Sequence, residues 1–139
     1  MAELDEGTGS GRAYFDDFKE YKVTDKWVED DDERHPQWDS QRAIYGFDSR
    51  QTWSLNTTML ELLYERLMMF VEKADQVVDL TFHNFEHRGE TFTQLELIEK
   101  MIGLIKYALD DDGDSMDEGA DAISETWEIW ALVHRSMWW

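Results

Sequence analysis

Residues 83–87 read HNFEH. On a helix, His83 and His87 would lie one turn apart on one face. H-x-x-E-H is the arrangement in which two histidines hold zinc while the adjacent glutamate takes a proton from bound water. The neighbouring residues predict extended structure instead. In VVDLTFHNFEHRGETFT, over 77–93, β-branched and aromatic residues are dense, and Val78, Leu80 and Phe82 alternate with Asp79 and Thr81. A period of two would put His83 and Glu86 on opposite faces. The expectation is therefore a half-buried or surface pair of histidines and no metal centre.

Two further groups of residues could do chemistry. Asp110, Asp112 and Asp114 have the one-three-five spacing of a calcium loop. Its sixth position is Ser115 where a glycine is needed, and its twelfth is Asp121 where a bidentate glutamate is needed. Loose binding of divalent cations is the most this implies. Glu61 and Glu65, with Glu96 and Glu99, are similar to the magnesium-binding carboxylates of all-α nucleotide pyrophosphohydrolases. Glu96 and Glu99 meet that family's E-x-x-E, but the next helix carries Glu125 and Glu128 where a Glu and then an Asp are required. A small metal-dependent nucleotide hydrolase is thus the alternative to a non-enzymatic role. No phosphate-binding G-x-x-x-x-G-K loop and no G-x-S-x-G elbow occurs. The chain has no cysteine, which excludes disulfides, thiolate nucleophiles and thiolate zinc sites together. No catalytic residue, metal or cofactor is expected.

The formal charge is −19, from 32 acidic and 13 basic residues among 139. Fourteen acidic residues in 1–56 face seven basic ones, and nine in 110–139 face one, whereas 93–109 carries two of each. Such a field repels nucleic acid and anionic membrane and attracts basic protein surfaces, including the channels in which nucleases hold DNA. Solubility alone would also account for it. No stretch of about 18 apolar residues is present to span a bilayer, and MAELDEGTGSGRAYF is acidic where a signal peptide would be basic and then apolar. A cytoplasmic location follows as the expectation.

These residues need elements to position them. MAELDEGTGSG, 1–11, reads as a flexible tail, and 12–139 as a single acidic helical domain. Tyr14, Phe15, Phe18 and Tyr21 fall at helical spacing and predict a helix over 12–22. The acidic run 29–33 and the sole proline, Pro36, argue for a solvated loop through DKWVEDDDERHPQWDS. YGFDSRQTWSLN, 45–56, reads as an aromatic corner with Gly46 for a tight backbone, Asp48 as a cap and Trp53 as anchor. Asn56, Thr57 or Thr58 would then cap a helix over 57–75, with Met59, Leu60, Leu63, Leu67, Phe70, Val71 and Ala74 as its apolar stripe and Met68 and Met69 as core filler.

Arg88-Gly89 predicts a turn between two short extended arms. Thr93 and Glu96 form the T-x-x-E box that opens a helix over 94–109, which buries Ile98, Met101, Ile102, Ile105 and Leu109, with Leu97 and Leu104 on a flank. Its charge balance of zero suits a central position. DDDGDSMDEGAD, 110–121, reads as a second acidic loop. A last helix follows, with Ile123, Trp127, Trp130, Val133, His134 and Met137 at three- and four-residue spacing. Trp138 and Trp139 are expected to dock on the body, because about 400 to 500 Å² of free aromatic surface would invite association. The fold class is mainly α: a compact bundle of about four helices with a short β-hairpin or extended connector near 77–92.

The corner YGFDSRQTWSLN, the F-H-x-F of 82–85, the start TQLELIEKMI at 93–102 and the terminal MWW resemble a family of small uncharacterised bacteriophage proteins. The likeness covers about 45–139; the acidic segment 1–40 lies outside it. It implies a phage or prophage origin and carries no catalytic residue. Small acidic phage proteins without catalytic motifs look like inhibitors that occupy the DNA site of a host defence nuclease, as anti-CRISPR and anti-restriction DNA mimics do. On that reading the partner is the basic surface of a nuclease or other nucleic-acid-binding protein, with no nucleic acid or membrane bound directly. The partner-binding residues would be Asp30, Asp31, Asp32 and Glu33 in the first acidic loop and Asp110, Asp111, Asp112, Asp114, Asp117 and Glu118 in the second. A phage replication or assembly accessory role is a further alternative. An exposed Trp138-Trp139 end would favour a homodimer.

Overall fold

A computed structural model describes residues 28–110 and 116–139. The expected tail 1–11 and helix 12–22 lie outside the described residues. The first element among the described residues, α1, is His35–Tyr45, where the sequence argues for loop. Pro36 stands in its first turn, where a missing N–H costs nothing and the fixed φ suits a helix. The helix ends at Gly46, whose φ of 85° lets its N–H reach the Arg42 carbonyl. α1 buries only Trp38 and packs on a 3₁₀ turn, Ser49–Thr52.

The second helix, α2, is Leu55–Ala74. It starts at Leu55, two residues before the expected boundary, and its N-cap Ser54 makes no side-chain cap bond, so Asn56, Thr57 and Thr58 lie inside it. Its buried face is Leu60, Tyr64, Leu67, Met68, Val71 and Ala74, while Met59 and Met69 are exposed rather than core. Met68 and Met69 are 100° apart on the helix, so both could not face one neighbour.

Residues 77–82, expected to alternate as a strand, form turns: the N–H groups of Val77 and Val78 both bond the Ala74 carbonyl. The period of two begins later, in β1 (Asn84–His87) and β2 (Glu90–Thr93). The two pair antiparallel, with Phe85 opposite Phe92 and His87 opposite Glu90. Arg88 and Gly89 both adopt positive φ, 50° and 86°. That is the two-residue turn whose twist matches a hairpin.

Helix α3, Gln94–Asp110, opens with the expected box: Glu96 N–H donates to Thr93 Oγ1 at 3.1 Å, and Thr93 N–H to Glu96 Oε1 at 2.8 Å. α3 is central, touching both α2 and the last helix, α4 (Met116–Val133). Contact on two sides explains why Leu97, assigned to a flank by its spacing, is fully buried beside Ile98, Met101, Ile102 and Ile105. Burying each of these side chains stabilises the fold by about 1.5–3 kcal/mol before entropy is counted.

Residues 116–121 belong to α4 and not to an acidic loop. The inner face of α4 is Ala122, Glu125, Thr126, Ile129 and Val133, and Trp127 is partly exposed. Thr126 satisfies its buried hydroxyl on the Ala122 carbonyl at 2.8 Å. A 3₁₀ turn, His134–Ser136, then bends the chain off the helix axis. Met137 packs toward the core while Trp138 and Trp139 remain 69% and 58% exposed, contrary to the docking expected of them. Among the described residues the fold is mainly α, with four helices and one small antiparallel sheet.

Candidate acidic interaction surface

The first acidic cluster precedes α1. Asp32 folds back on Arg34, taking its backbone N–H and Nε on Oδ1, both at 2.9 Å, and its Nη2 on Oδ2 at 2.8 Å. These bonds, the guanidinium's first, hold the Asp32 carboxyl well below the usual carboxylate range. Arg34 in turn lies 5.0 Å above the Trp38 ring and 5.4 Å above Trp53. Asp32 is thereby committed to the corner, and Asp30, Asp31 and Glu33 are left exposed around it. Composition does not set Asp32 apart from its acidic neighbours; the Asp-x-Arg spacing is the available signal, because a side chain can bond the backbone two residues on.

Below them sits a buried carboxylate, Asp48. Its Oδ1 accepts the Arg50 N–H at 2.9 Å and Nε at 3.0 Å; its Oδ2 accepts Arg50 Nη2 at 2.8 Å and Arg42 Nη1 at 2.5 Å. Arg42 also pairs with Asp39. The Arg50 bonds dominate in lowering the Asp48 carboxyl to about 2, against the opposing pull of burial. Arg50 lies 4.5 Å over Trp38, whose indole N–H bonds Ser49 Oγ at 3.1 Å. Asp48 is thus the cap the sequence indicated, but the buried anchor of the corner is Trp38 and not the half-exposed Trp53.

The second cluster is only partly described. Asp110 is exposed at the end of α3, 3.6 Å from Lys106. Asp111, Asp112 and Asp114 lie outside the described residues, and with them the calcium-loop spacing. Asp117 and Glu118 fall in the first turn of α4, where the helix dipole favours acidic residues; their side chains lie outside what is described. The clusters belong to different elements, one before α1 and one between α3 and α4.

Three carboxylates of the hydrolase pattern, Glu96, Glu125 and Glu128, hold structural partners. Glu96 closes its capping box. Glu125, 8% exposed, accepts from His87 Nε2 at 2.7 Å. Arg88 Nη1 lies 3.5 Å and Lys100 Nζ 3.7 Å from the same carboxylate. Glu128 takes Arg88 Nε and Nη2 at 3.0 and 2.9 Å. That fork lowers the Glu128 carboxyl and raises Arg88 further above its ordinary range. In HNFEH, His87 is therefore a buried strand residue pointing at α4, while His83 is exposed and precedes the strand. Among the described residues no group of three His, Asp or Glu is placed to hold a metal ion. The signal for His87 was available: it lies two residues after the apolar Phe85, on the same strand face.

No family model, curated protein or solved structure matches the chain.

Proposed function

We propose that this chain is a non-enzymatic, phage-encoded inhibitor that occupies the basic, nucleic-acid-binding surface of a host defence protein, such as a CRISPR effector nuclease, by presenting carboxylates in place of phosphates. The observation that carries the reading is the charge of −19, with Asp30, Asp31 and Glu33 displayed on a corner anchored by Trp38, Arg34 and Asp48. A rigid mount matters, because carboxylates that need not be ordered on binding lose less entropy and compete better for Lys and Arg. The phage origin rests on the resemblance carried by the corner, the F-H-x-F segment and the terminal MWW. The nucleotide-hydrolase reading has less support, since Glu96, Glu125 and Glu128 already hold structural partners.

The test is capture of host and defence proteins on the immobilised chain at low salt, eluted with a salt gradient, followed by a competition assay with duplex DNA. The expected result is a DNA-binding nuclease that elutes early in the gradient and releases its DNA when this chain is added. The triple substitution Asp30→Lys, Asp31→Lys, Glu33→Lys should weaken the complex by at least about tenfold, as like charges meet at the interface. Capture that ignores both salt and the charge reversal would overturn the reading and favour the accessory role.

A further inference from the structure

A pocket of about 230 Å³ opens where the turns after α2 meet the C-terminal turn. Asp79, Phe82, His83, Gln94, Ser136 and Trp138 line it. Gln94 is 2% exposed; one hydrogen of its Nε2 goes to the Ser136 carbonyl at 3.1 Å, which fixes the amide and leaves Oε1 as an acceptor. Asp79 uses Oδ1 for the Thr81 N–H at 2.9 Å and the Thr81 hydroxyl at 2.5 Å, which leaves Oδ2. Those bonds hold the Asp79 carboxyl below its ordinary range, so it is a charged acceptor near neutrality.

The remaining walls are apolar: the aliphatic Val78 and Leu80 and the rings of Phe82 and Trp138. Phe82 is 72% exposed and held edge-on by the His83 ring at 5.0 Å, and Trp138 is 69% exposed. Neither ring faces an aromatic or cationic partner on its other side among the described residues, and no Lys or Arg lines the pocket. Acceptors with a net negative charge, set between open ring faces, select a ligand that is cationic, rich in donors and flat. A guanidinium meets all three conditions. An ammonium meets the first two but cannot stack, and a neutral heteroaromatic lacks the charge.

We propose that this pocket receives an arginine side chain of the protein partner, its guanidinium stacked on Trp138 and donating to Asp79 and to Gln94 Oε1. The inference rests on the reading that the chain binds a basic protein surface, and it adds a discrete anchor to a diffuse charge. It also gives the exposed Trp138 a use other than self-association: deeply buried Arg contacts at an aromatic wall are a recurrent source of binding hot spots.

The experiment is a titration of the full 15N-labelled chain with the capped tripeptide acetyl-Gly-Arg-Gly-amide. The readouts are the Trp138 indole N–H and the Gln94 side-chain amide. The citrulline peptide, equal in shape and uncharged, and the lysine peptide serve as comparisons. Both signals should shift with the arginine peptide, with binding at least about fivefold weaker for lysine and weaker still for citrulline. Trp138→Ala and Asp79→Asn should each weaken arginine binding by about tenfold. His83→Lys, an exposed change that adds a fixed cation to the lining, should abolish it. Equal shifts for citrulline, binding that survives Trp138→Ala, or shifts centred on residues 30–33 would each overturn the proposal. The titration needs no nuclease, so a failure of the inhibitor reading would leave its result standing, and the reverse also holds.

Discussion

Asp48 and Glu125 are the two buried carboxylates among the described residues, and they are buried in different ways. Asp48 is neutralised by neighbours in sequence: Arg50 two residues on and Arg42 six residues back, within one corner between α1 and α2. Glu125 is satisfied across the fold, by His87 of the hairpin 38 residues earlier, with Arg88 and Lys100 close by. The first arrangement can form as soon as residues 42–50 turn. The second exists only when the hairpin, α3 and α4 have assembled. The Asp48 corner therefore shapes a surface, whereas the Glu125 network holds the core elements in register.

The largest effect should come from breaking the long-range network. Glu125→Ala would leave His87 buried without its partner and open a void against α3, at a cost of about 3–5 kcal/mol. For a chain of this length that corresponds to a fall of roughly 10 °C or more in Tm, read by calorimetry or circular dichroism. The paired change Glu125→Leu with His87→Phe should recover most of the loss, because matched apolar groups need no desolvated partner. A small Tm change for Glu125→Ala would show that the hairpin is not fastened through this carboxylate.

Asp48→Asn should have the second largest effect, and it carries a pH signature. The unfolded carboxyl protonates near pH 3.9, and the folded one only at about pH 2. The folded state therefore gains stability from Asp48 above about pH 4 and loses it as the pH falls from about 4 toward 2. The gap corresponds to about 2 to 3 kcal/mol. Urea unfolding of the natural chain and of Asp48→Asn should differ by about that amount at pH 6 and converge toward pH 2. A difference that holds constant across this range would mean that Asp48 acts through shape and not through charge.

The same contrast explains what was legible in the sequence. Local devices could be read: the Thr93/Glu96 box, the Arg88-Gly89 turn, Asp48 as a cap and the apolar spacing of α2 and α3 all depend on residues within a few positions of one another. α1 was missed because an acidic run and a proline read as loop, although Pro36 in a first turn is compatible with a helix. Helical spacing of the large apolar residues puts Trp127 on the inward face of α4, while the position that faces the hairpin is the charged Glu125. No local pattern marks a glutamate as the partner of a histidine 38 residues away. For the candidate site, the carboxylates of Asp30, Asp31 and Glu33 are legible from composition, but the commitment of Asp32 to Arg34 and the pocket beside Trp138 depend on how turns converge.

Arg88 allows the finest distinction between the two kinds of burial, because it touches the Glu125 network from its solvent side. Its guanidinium forks onto Glu128 and lies 3.5 Å from Glu125, yet the side chain is 42% exposed. A fork of good geometry argues for strength, and exposure argues for screening. Exposure should dominate, since partly solvated pairs contribute about 1 kcal/mol or less. A double-mutant cycle of Arg88→Ala and Glu128→Gln should therefore give a coupling below about 1 kcal/mol that shrinks further in 1 M salt, where the screening length falls to about 3 Å. The His87–Glu125 coupling, measured the same way, should be larger and nearly indifferent to salt, because no solvent ions reach it. If both couplings fell together with salt, the hairpin would be fastened from its surface, and Glu125 would owe its effect to Arg88 and not to His87.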